Sequence, residues 1–120
     1  MFQLDYKSGT PICDQIVNGF IRLKALGILS GGEQMPSVRA LASQFSVNPN
    51  TVQKAYALLE QSGVIYSVKG KGSFISDDER SHSAIIENAK SNFSVAVKKA
   101  LDLGLTENDL IECINKEAGK

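Results

Sequence analysis

Apolar positions near the start of the chain recur every three or four residues, the spacing of one face of an α-helix. Between Pro11 and Leu26 the residues on that face are Ile12, Ile16, Val17, Phe20 and Leu23. Proline suits the first turn of a helix, and the glycine at position 27 is typical of the residue that ends one. The pattern predicts a first helix over residues 11–26, with an extended lead-in over residues 1–9 and a glycine-rich loop after it.

Two more helical runs follow, and only two residues separate them. Ser37 is a suitable N-cap for the segment VRALASQF, and Asn48 is a suitable N-cap for a helix that Pro49 opens. The apolar stripes of these two helices are Val38, Leu41, Ala42 and Phe45 in the first and Val52, Ala55, Tyr56 and Leu59 in the second. Residues 46–47 are expected to form a tight turn between them, and Gly63 is expected to end the second helix.

The pattern changes to that of β-structure after the third helix. The short runs VIYSV and SFIS are typical of strands, and the segment KGKG between them suits a glycine-bearing hairpin loop. We therefore predict that residues 1–76 form three helices followed by a β-hairpin.

A polar segment, DDERSHS, is expected to form a joint between this region and the C-terminal part. Beyond it, apolar residues again recur at helical spacing, which predicts a long amphipathic helix that ends near Leu103. They are Ile86, Ala89, Phe93, Ala96 or Val97, and Ala100. A last helix is expected after Thr106, because Asp109 stands where the acid of a capping box belongs.

Composition places the chain among ordinary globular proteins. It has 120 residues, of which 42% are hydrophobic and 22% charged, which suits one compact domain with a small appendage. No run approaches the ~18 consecutive apolar residues of a membrane span, and the first residues lack the basic and apolar regions of a signal peptide. We therefore expect a cytoplasmic protein with no membrane partner.

Charge is unevenly distributed although the net charge is zero. Residues 1–76 hold seven Lys or Arg and four Asp or Glu, whereas residues 77–120 hold six Lys or Arg and nine Asp or Glu. This asymmetry, a mildly basic part joined to an acidic part, is compatible with a nucleic-acid partner, against which the net charge alone would argue.

Residues with catalytic or metal-binding chemistry are few. The only histidine, His82, lies in the polar joint and is expected to be solvated, and the chain has no GxSxG, P-loop or paired metal motif. Cys13 and Cys113 have no CxxC companion and are expected to be small buried or half-buried residues. We expect no enzyme activity, no metal site and no cofactor.

The order of the predicted elements is that of a winged helix-turn-helix, which places the second helix of the helix-turn-helix pair in the DNA major groove. The helix that Pro49 opens carries no acid in its first turns. Its unsatisfied N–H groups and its dipole are therefore expected to face DNA phosphates. Asn50 and Gln53 carry amide groups of the type that read adenine. Thr51 suits a phosphate or a thymine methyl group, and Lys54 suits a phosphate.

Two further elements point to the same partner. Arg39, in the first turn of the preceding helix, can reach the DNA backbone or a guanine. At the hairpin tip, Lys69 and Lys71 stand beside Gly70 and Gly72, which let the backbone approach a narrow groove. Taken singly, each feature has an ordinary alternative: a good helix start, a surface arginine or a solvated turn. Their occurrence in this order within about forty residues favours double-stranded DNA as the partner.

The segment MPSVRALASQFSVNPNTVQKAYALLEQSGVIYSVKGKGSFIS resembles the N-terminal domain of the GntR family of bacterial transcription regulators. The shared motifs are a Pro-Ser-x-Arg start, a Val-Asn-Pro-Asn-Thr-Val turn, a Leu-Glu-x-x-Gly exit and a Gly-x-Gly-Ser-Phe wing, and the resemblance covers residues 4–76. It implies DNA contacts at Ser37, Arg39, Asn48, Asn50, Thr51, Gln53, Lys54, Lys69 and Gly70.

Two positions depart from the family pattern. Cys13 stands where an aromatic residue is usual, which places any packing role carried over to it in question. Gln53 stands where many relatives have arginine, which implies a weaker phosphate contact or a different base preference.

The C-terminal part resembles that of the YtrA-like subfamily, whose short helical tail mediates dimerisation and whose genes often lie beside ABC-transporter genes. The apolar residues expected to form the dimer are Ile86, Phe93, Val97, Leu101, Leu110 and Ile114. Two helices cannot hide this surface from each other, so a second copy is expected to bury the surplus. The expected architecture is mainly α with a small β-hairpin: a winged helix-turn-helix over residues 1–76 and a two-helix dimerisation tail over residues 77–120.

A two-fold dimer would place two recognition helices about one turn of DNA apart, ~34 Å, and would require an inverted-repeat operator. The simplest activity is that of a homodimeric repressor that occludes a promoter, with a transporter operon as a possible target. Three alternatives stay open: tail helices folded back on the first domain, a small-molecule effector at the dimer interface, and a winged helix that binds protein. An activator would use the same DNA-binding surface, and the sequence identifies no effector.

Overall fold

The computed structural model describes residues 1–120, which form five helices and two strands. The elements are α1 (Ile12–Ala25), α2 (Val38–Phe45), α3 (Pro49–Gln61), β1 (Ile65–Val68), β2 (Gly72–Ile75), α4 (Glu79–Asp102) and α5 (Glu107–Glu117). Every predicted helix and the predicted hairpin are present, so the expectation of a mainly helical winged helix-turn-helix is confirmed. The chain divides into two compact units, Met1–Ser83 and Ala84–Lys120.

The core of the first unit lies where α1 and α2 pack on α3. Its largest fully buried side chains come from all three helices and from the hairpin, and they are Phe20, Ile16, Leu41, Leu59, Ile75, Val52 and Val64. The Phe20 ring stands edge-on to two others, with centroid distances of 5.1 Å to Phe2 and 6.0 Å to Tyr56. The apolar stripes predicted for the three helices thus meet in one core.

The residues before α1 pack against the helices. Phe2 packs above Gly19, where a Cβ atom would lie 2.6 Å from the ring. The Tyr6 hydroxyl donates a hydrogen bond to the carbonyl of Phe45, the last residue of α2. The side-chain amide of Gln15 donates a hydrogen bond to the carbonyl of Asp5 and accepts one from the N–H of the same residue. This segment therefore braces α1 and the end of α2.

The turn between α2 and α3 depends on a left-handed residue. Ser46 has φ of 54°, and the N–H of Val47 donates to the carbonyl of Ala42 at 3.0 Å. A serine in this region costs more than a glycine. Val47, the next residue, is half-buried. The turn into α3 therefore combines one left-handed residue with one partly buried apolar side chain.

The hairpin is joined by a third extended segment that the sequence pattern does not predict. Within the hairpin, Ile65 pairs with Ile75 and both are buried. The segment Gly32–Met35 then pairs with β2: the N–H of Gly32 donates to Ile75 at 2.7 Å, and the N–H of Met35 donates to Ser73 at 2.8 Å. The loop before α2 is therefore fastened to the hairpin by backbone hydrogen bonds.

Helix α4 begins at Glu79, inside the polar segment expected to be a joint. The carboxylate of Asp78 accepts hydrogen bonds from the N–H groups of Arg80 and Ser81, at 3.0 and 3.4 Å. It also accepts one from the Ser81 hydroxyl at 2.9 Å, and these bonds lower the pKa of Asp78. A capped N-terminus lets polar residues start the helix before its apolar stripe begins. His82 lies in this first turn half-buried, with Nδ1 buried and unpaired, so the expectation of a solvated histidine is wrong.

The second unit contains the rest of α4 and α5. The capping box predicted at the start of α5 is confirmed, with Thr106 N–H donating to the Asp109 carboxylate at 2.8 Å and Asp109 N–H donating to the Thr106 hydroxyl at 3.2 Å. The first of these bonds is the main cause of a lowered pKa at Asp109. No side chain of either helix is buried. Cys113 is exposed, so the expectation of burial is confirmed for Cys13 and wrong for Cys113.

No helix of the chain combines the length and the apolar character needed to cross a bilayer.

Candidate nucleic-acid interface

Helix α3 presents one polar face and one buried face. Val52, Ala55, Tyr56 and Leu59 form the buried face, as predicted. On the other side Asn50, Gln53 and Lys54 are exposed, and Thr51 is half-buried at the edge. The amide and ammonium groups proposed to contact DNA are therefore accessible along the first two turns of the helix.

The N-terminus of α3 is already capped by its own chain. The side chain of Asn48 accepts from the N–H of Asn50 at 2.8 Å, and its backbone carbonyl accepts from the N–H of Thr51 at 3.0 Å. Pro49 has no N–H to offer. The expectation of unsatisfied N–H groups facing phosphates is therefore wrong, because the predicted cap uses them. The first turn contains no acid, so the positive end of the helix dipole is not neutralised there.

The start of α2 lies beside this surface. The Ser37 hydroxyl accepts from the N–H of Ala40 at 3.1 Å, so Ser37 is the N-cap that the sequence predicts. The hydroxyl proton stays available to an acceptor outside the chain. Arg39 is exposed in the first turn of α2, two residues after the cap.

The hairpin tip, Lys69–Lys71, is a three-residue loop. It is closed by a hydrogen bond of 2.9 Å from the N–H of Lys71 to the carbonyl of Val68. Gly70 has φ of 77° and Gly72 has φ of 109°, a region that favours glycine. Both lysines are exposed. The two glycines thus allow the tight loop that the sequence predicts, and the tip exposes two ammonium groups.

Two hydrogen bonds connect α3 and the hairpin tip to the loop before α2, and the sequence pattern identifies neither bond. The Tyr56 hydroxyl of α3 donates to the carbonyl of Pro36 at 2.6 Å, and the pKa of this phenol is raised by burial. The side-chain amide of Gln34 donates to the carbonyl of Lys71 at 2.8 Å. In the sequence, Tyr56 can be recognised only as an apolar position of a helix and Gln34 only as a polar residue of a loop, so neither hydrogen bond can be predicted. These elements surround a cavity of about 260 Å³ at the base of the tip.

The exposed basic groups of these elements have no acidic partner. They are Arg39, Lys54, Lys69 and Lys71, and the two ion pairs of the chain, both at α4, involve none of them. The charge of Lys54 opposes the rise that burial causes in the pKa of Cys13. Unpaired cations on three elements suit a polyanion. No cluster of His, Cys, Asp or Glu could hold a metal ion.

Comparisons with known proteins identify the family of this chain. Residues 22–75 match the family described as bacterial regulatory proteins, gntR family. A GntR-family transcriptional regulator from Listeria monocytogenes is 31% identical, with a TM-score of 0.74 over 92% of this chain and 98% of that one. The protein belongs to the GntR family. It is a DNA-binding transcription regulator and not an enzyme.

Two other relatives of this GntR-family protein are informative. The HTH-type transcriptional repressor YtrA of Bacillus subtilis is 44% identical over 80 residues, which are 67% of this chain and 62% of that repressor. The alignment therefore spans less than two thirds of the repressor's length. The structure of AraR(DBD) in complex with operator ORE1 is 28% identical, with a TM-score of 0.54 over 63% of this chain and 95% of that one.

The second unit of the GntR-family protein carries an open apolar groove of about 680 Å³ between α4 and α5. Of the six residues predicted to form a dimer, the groove is lined by Phe93, Val97, Leu110 and Ile114, whereas Ile86 and Leu101 do not line it. The other apolar residues of its wall are Ala96, Ala100, Leu105, Cys113 and Ala118. Phe93 is 54% exposed and Ile114 is 47% exposed. No other residue of the second unit covers the exposed parts of these two side chains.

Proposed function

We propose that this protein is a homodimeric repressor that binds an inverted-repeat operator. In this proposal residues 1–76 bind DNA and residues 77–120 form the dimer. The observations that carry it are the four unpaired basic side chains on α2, α3 and the hairpin tip and the absence of acids from the first turn of α3. The name of the YtrA relative supports repression, and the subfamily resemblance leads us to expect a transporter operon among the targets.

The proposed DNA contacts divide by chemistry. Asn50 and Gln53 contact base edges in the major groove, and Arg39 contacts a guanine or the backbone. The groups assigned to phosphates or to the narrow groove are Ser37, Asn48, Thr51, Lys54, Lys69, Gly70, Lys71 and Gly72. Ser37 and Asn48 use acceptor atoms as helix caps, so their remaining hydroxyl and amide protons are the groups that reach a phosphate.

The proposed dimer rests on the groove of the second unit. An exposed apolar groove of this size, with Phe93 and Ile114 about half exposed, is costly in water. A second copy with the same groove can cover it by two-fold symmetry, because the same patch then serves both partners. Two recognition helices would lie one turn of DNA apart, ~34 Å.

A second candidate is a ligand-responsive regulator with a small apolar molecule in the same groove. The groove volume of about 680 Å³ lies within the range of small-molecule sites, ~300–1,000 Å³. A rise in the melting temperature with an added apolar compound, at constant protein concentration, would favour this candidate.

The proposed function predicts enrichment of particular DNA. The purified protein is incubated with fragmented genomic DNA, the retained fragments are sequenced, and their affinity is measured from about 50 to 200 mM salt. We expect an inverted repeat whose binding weakens steeply as salt rises, because Lys and Arg displace counterions from phosphates. Retention of fragments without a shared repeat, or of no fragments, would contradict the proposal.

Arg39→Ala is expected to weaken binding to the enriched repeat by about 1–3 kcal/mol for each half-site and to relax the preference at one base pair in each half-site. The exposed guanidinium of Arg39 has no partner in the chain, so its removal leaves the fold intact. Arg80→Ala is the matched control, because Arg80 is exposed and pairs with Asp78 at 3.7 Å outside the proposed interface. Equal affinities of the Arg39→Ala protein and the parent would rule out this contact.

A further inference from the structure

The hairpin tip is held by more than its own turn. The loop before α2 pairs with β2 through Gly32, Glu33 and Met35, whose backbone groups bond to Ile75 and Ser73 over 2.7–2.8 Å. Gln34, in the middle of this segment, faces Phe74 across an isolated β-bridge. Its side chain therefore starts from a backbone position that is already fixed.

From that position the Gln34 side chain reaches the tip. Nε2 donates to the carbonyl of Lys71 at 2.8 Å, while the N–H of Lys71 is held by Val68 at 2.9 Å. A Cβ atom at position 72 would lie 3.2 Å from this Nε2, so Gly72 leaves room for the amide. Both backbone polar groups of Lys71 thus have partners, and one of the two partners is a side chain from outside the hairpin.

We propose that Gln34 is a positioning residue for DNA binding, which sets the direction of Lys69 and Lys71. This inference rests on the proposed function, in which both lysines contact DNA. Glycine at positions 70 and 72 makes the tip easy to deform. A hydrogen bond that holds one orientation before binding lowers the ordering cost of the complex. The segment that carries Gln34 leads directly into α2, so it connects the hairpin tip to the start of that helix.

The test is a double-mutant cycle with four proteins: the parent, Gln34→Met, Lys69→Ala with Lys71→Ala, and all three changes together. The probe is a labelled DNA duplex of random sequence and about 30 base pairs, long enough for two half-sites one turn apart. Affinity is measured from about 50 to 200 mM salt. Gln34 is exposed, so methionine keeps its length without entering the core. Melting temperatures verify folding, and Gln3→Met is the control for an exposed glutamine.

We expect Gln34→Met to weaken binding by about twofold to tenfold, the effect of removing one hydrogen bond, and to lower the salt dependence. Removal of both lysines should lower the salt slope by about two units for each protomer, and so by about four for a bound dimer, one for each phosphate that is no longer neutralised. In the background without lysines, Gln34→Met should have no effect. A residue that only stabilised the fold would weaken binding equally in both backgrounds.

Each other outcome has a distinct meaning. An equal effect of Gln34→Met in both backgrounds, or no effect in the parent, would overturn the positioning role and leave the proposed function standing. An unchanged affinity and salt slope after removal of both lysines would overturn the wing contact and the inference with it. Absence of salt-sensitive binding by the parent would overturn the proposed function itself.

Discussion

Phe93→Glu is expected to convert the proposed dimer into a monomer and to weaken binding to a full inverted repeat by about 10²–10⁴-fold. Phe93 lines the apolar groove and is 54% exposed. A carboxylate at this position would lose its water on dimerisation without gaining a partner. The two half-sites would then be bound by independent molecules, without the effective concentration that linkage supplies.

Sedimentation and DNA titration test this result together. The Phe93→Glu protein should sediment as a monomer and should bind a full repeat no better than a half-site. Val95→Glu is the matched control, because Val95 lies on the same helix, is 67% exposed and does not line the groove. A dimer that survives Phe93→Glu, or one that Val95→Glu dissociates equally, would show that this groove is not the interface.

Phe20→Ala is expected to lower the free energy of unfolding of the first unit by about 3–5 kcal/mol, the range for aromatic residues removed from a core. Phe20 is fully buried between Phe2 and Tyr56. Its removal would leave a cavity where α1 meets α3 and would release the packing of the N-terminal segment. A loss of this size is a large part of the stability of a small domain, about 5–15 kcal/mol.

Urea unfolding followed by tyrosine fluorescence measures this loss. The chain has no tryptophan, and its three tyrosines, Tyr6, Tyr56 and Tyr66, all lie in the first unit. The signal therefore reports the unit that contains Phe20. Leu26→Ala serves as the control, because Leu26 is 61% exposed just after α1 and should change stability little. A loss below about 1 kcal/mol for Phe20→Ala would contradict the buried position.

The proposed DNA-binding surface depends on both local and distant contacts. Asn50, Gln53 and Arg39 could be assigned from the sequence, because their positions follow from helix starts that caps and periodicity reveal. Gln34 could not be assigned, because its partner, Lys71, lies 37 residues away. The same difference explains the error about the N-terminus of α3: the sequence identifies Asn48 as a cap, but only the hydrogen bonds show that the cap leaves no N–H free.

The sequence by itself determined the elements of this protein and the family to which it belongs. Helical stripes, N-caps and hairpin glycines act over a few residues, so their signals are contained in short segments. Only the tertiary structure decided how the loop before α2 joins the hairpin, how Tyr6 braces the end of α2, and which apolar residues share the groove of the second unit. These contacts connect residues far apart in the chain, and a single polar residue carries no periodic signal that would reveal its partner.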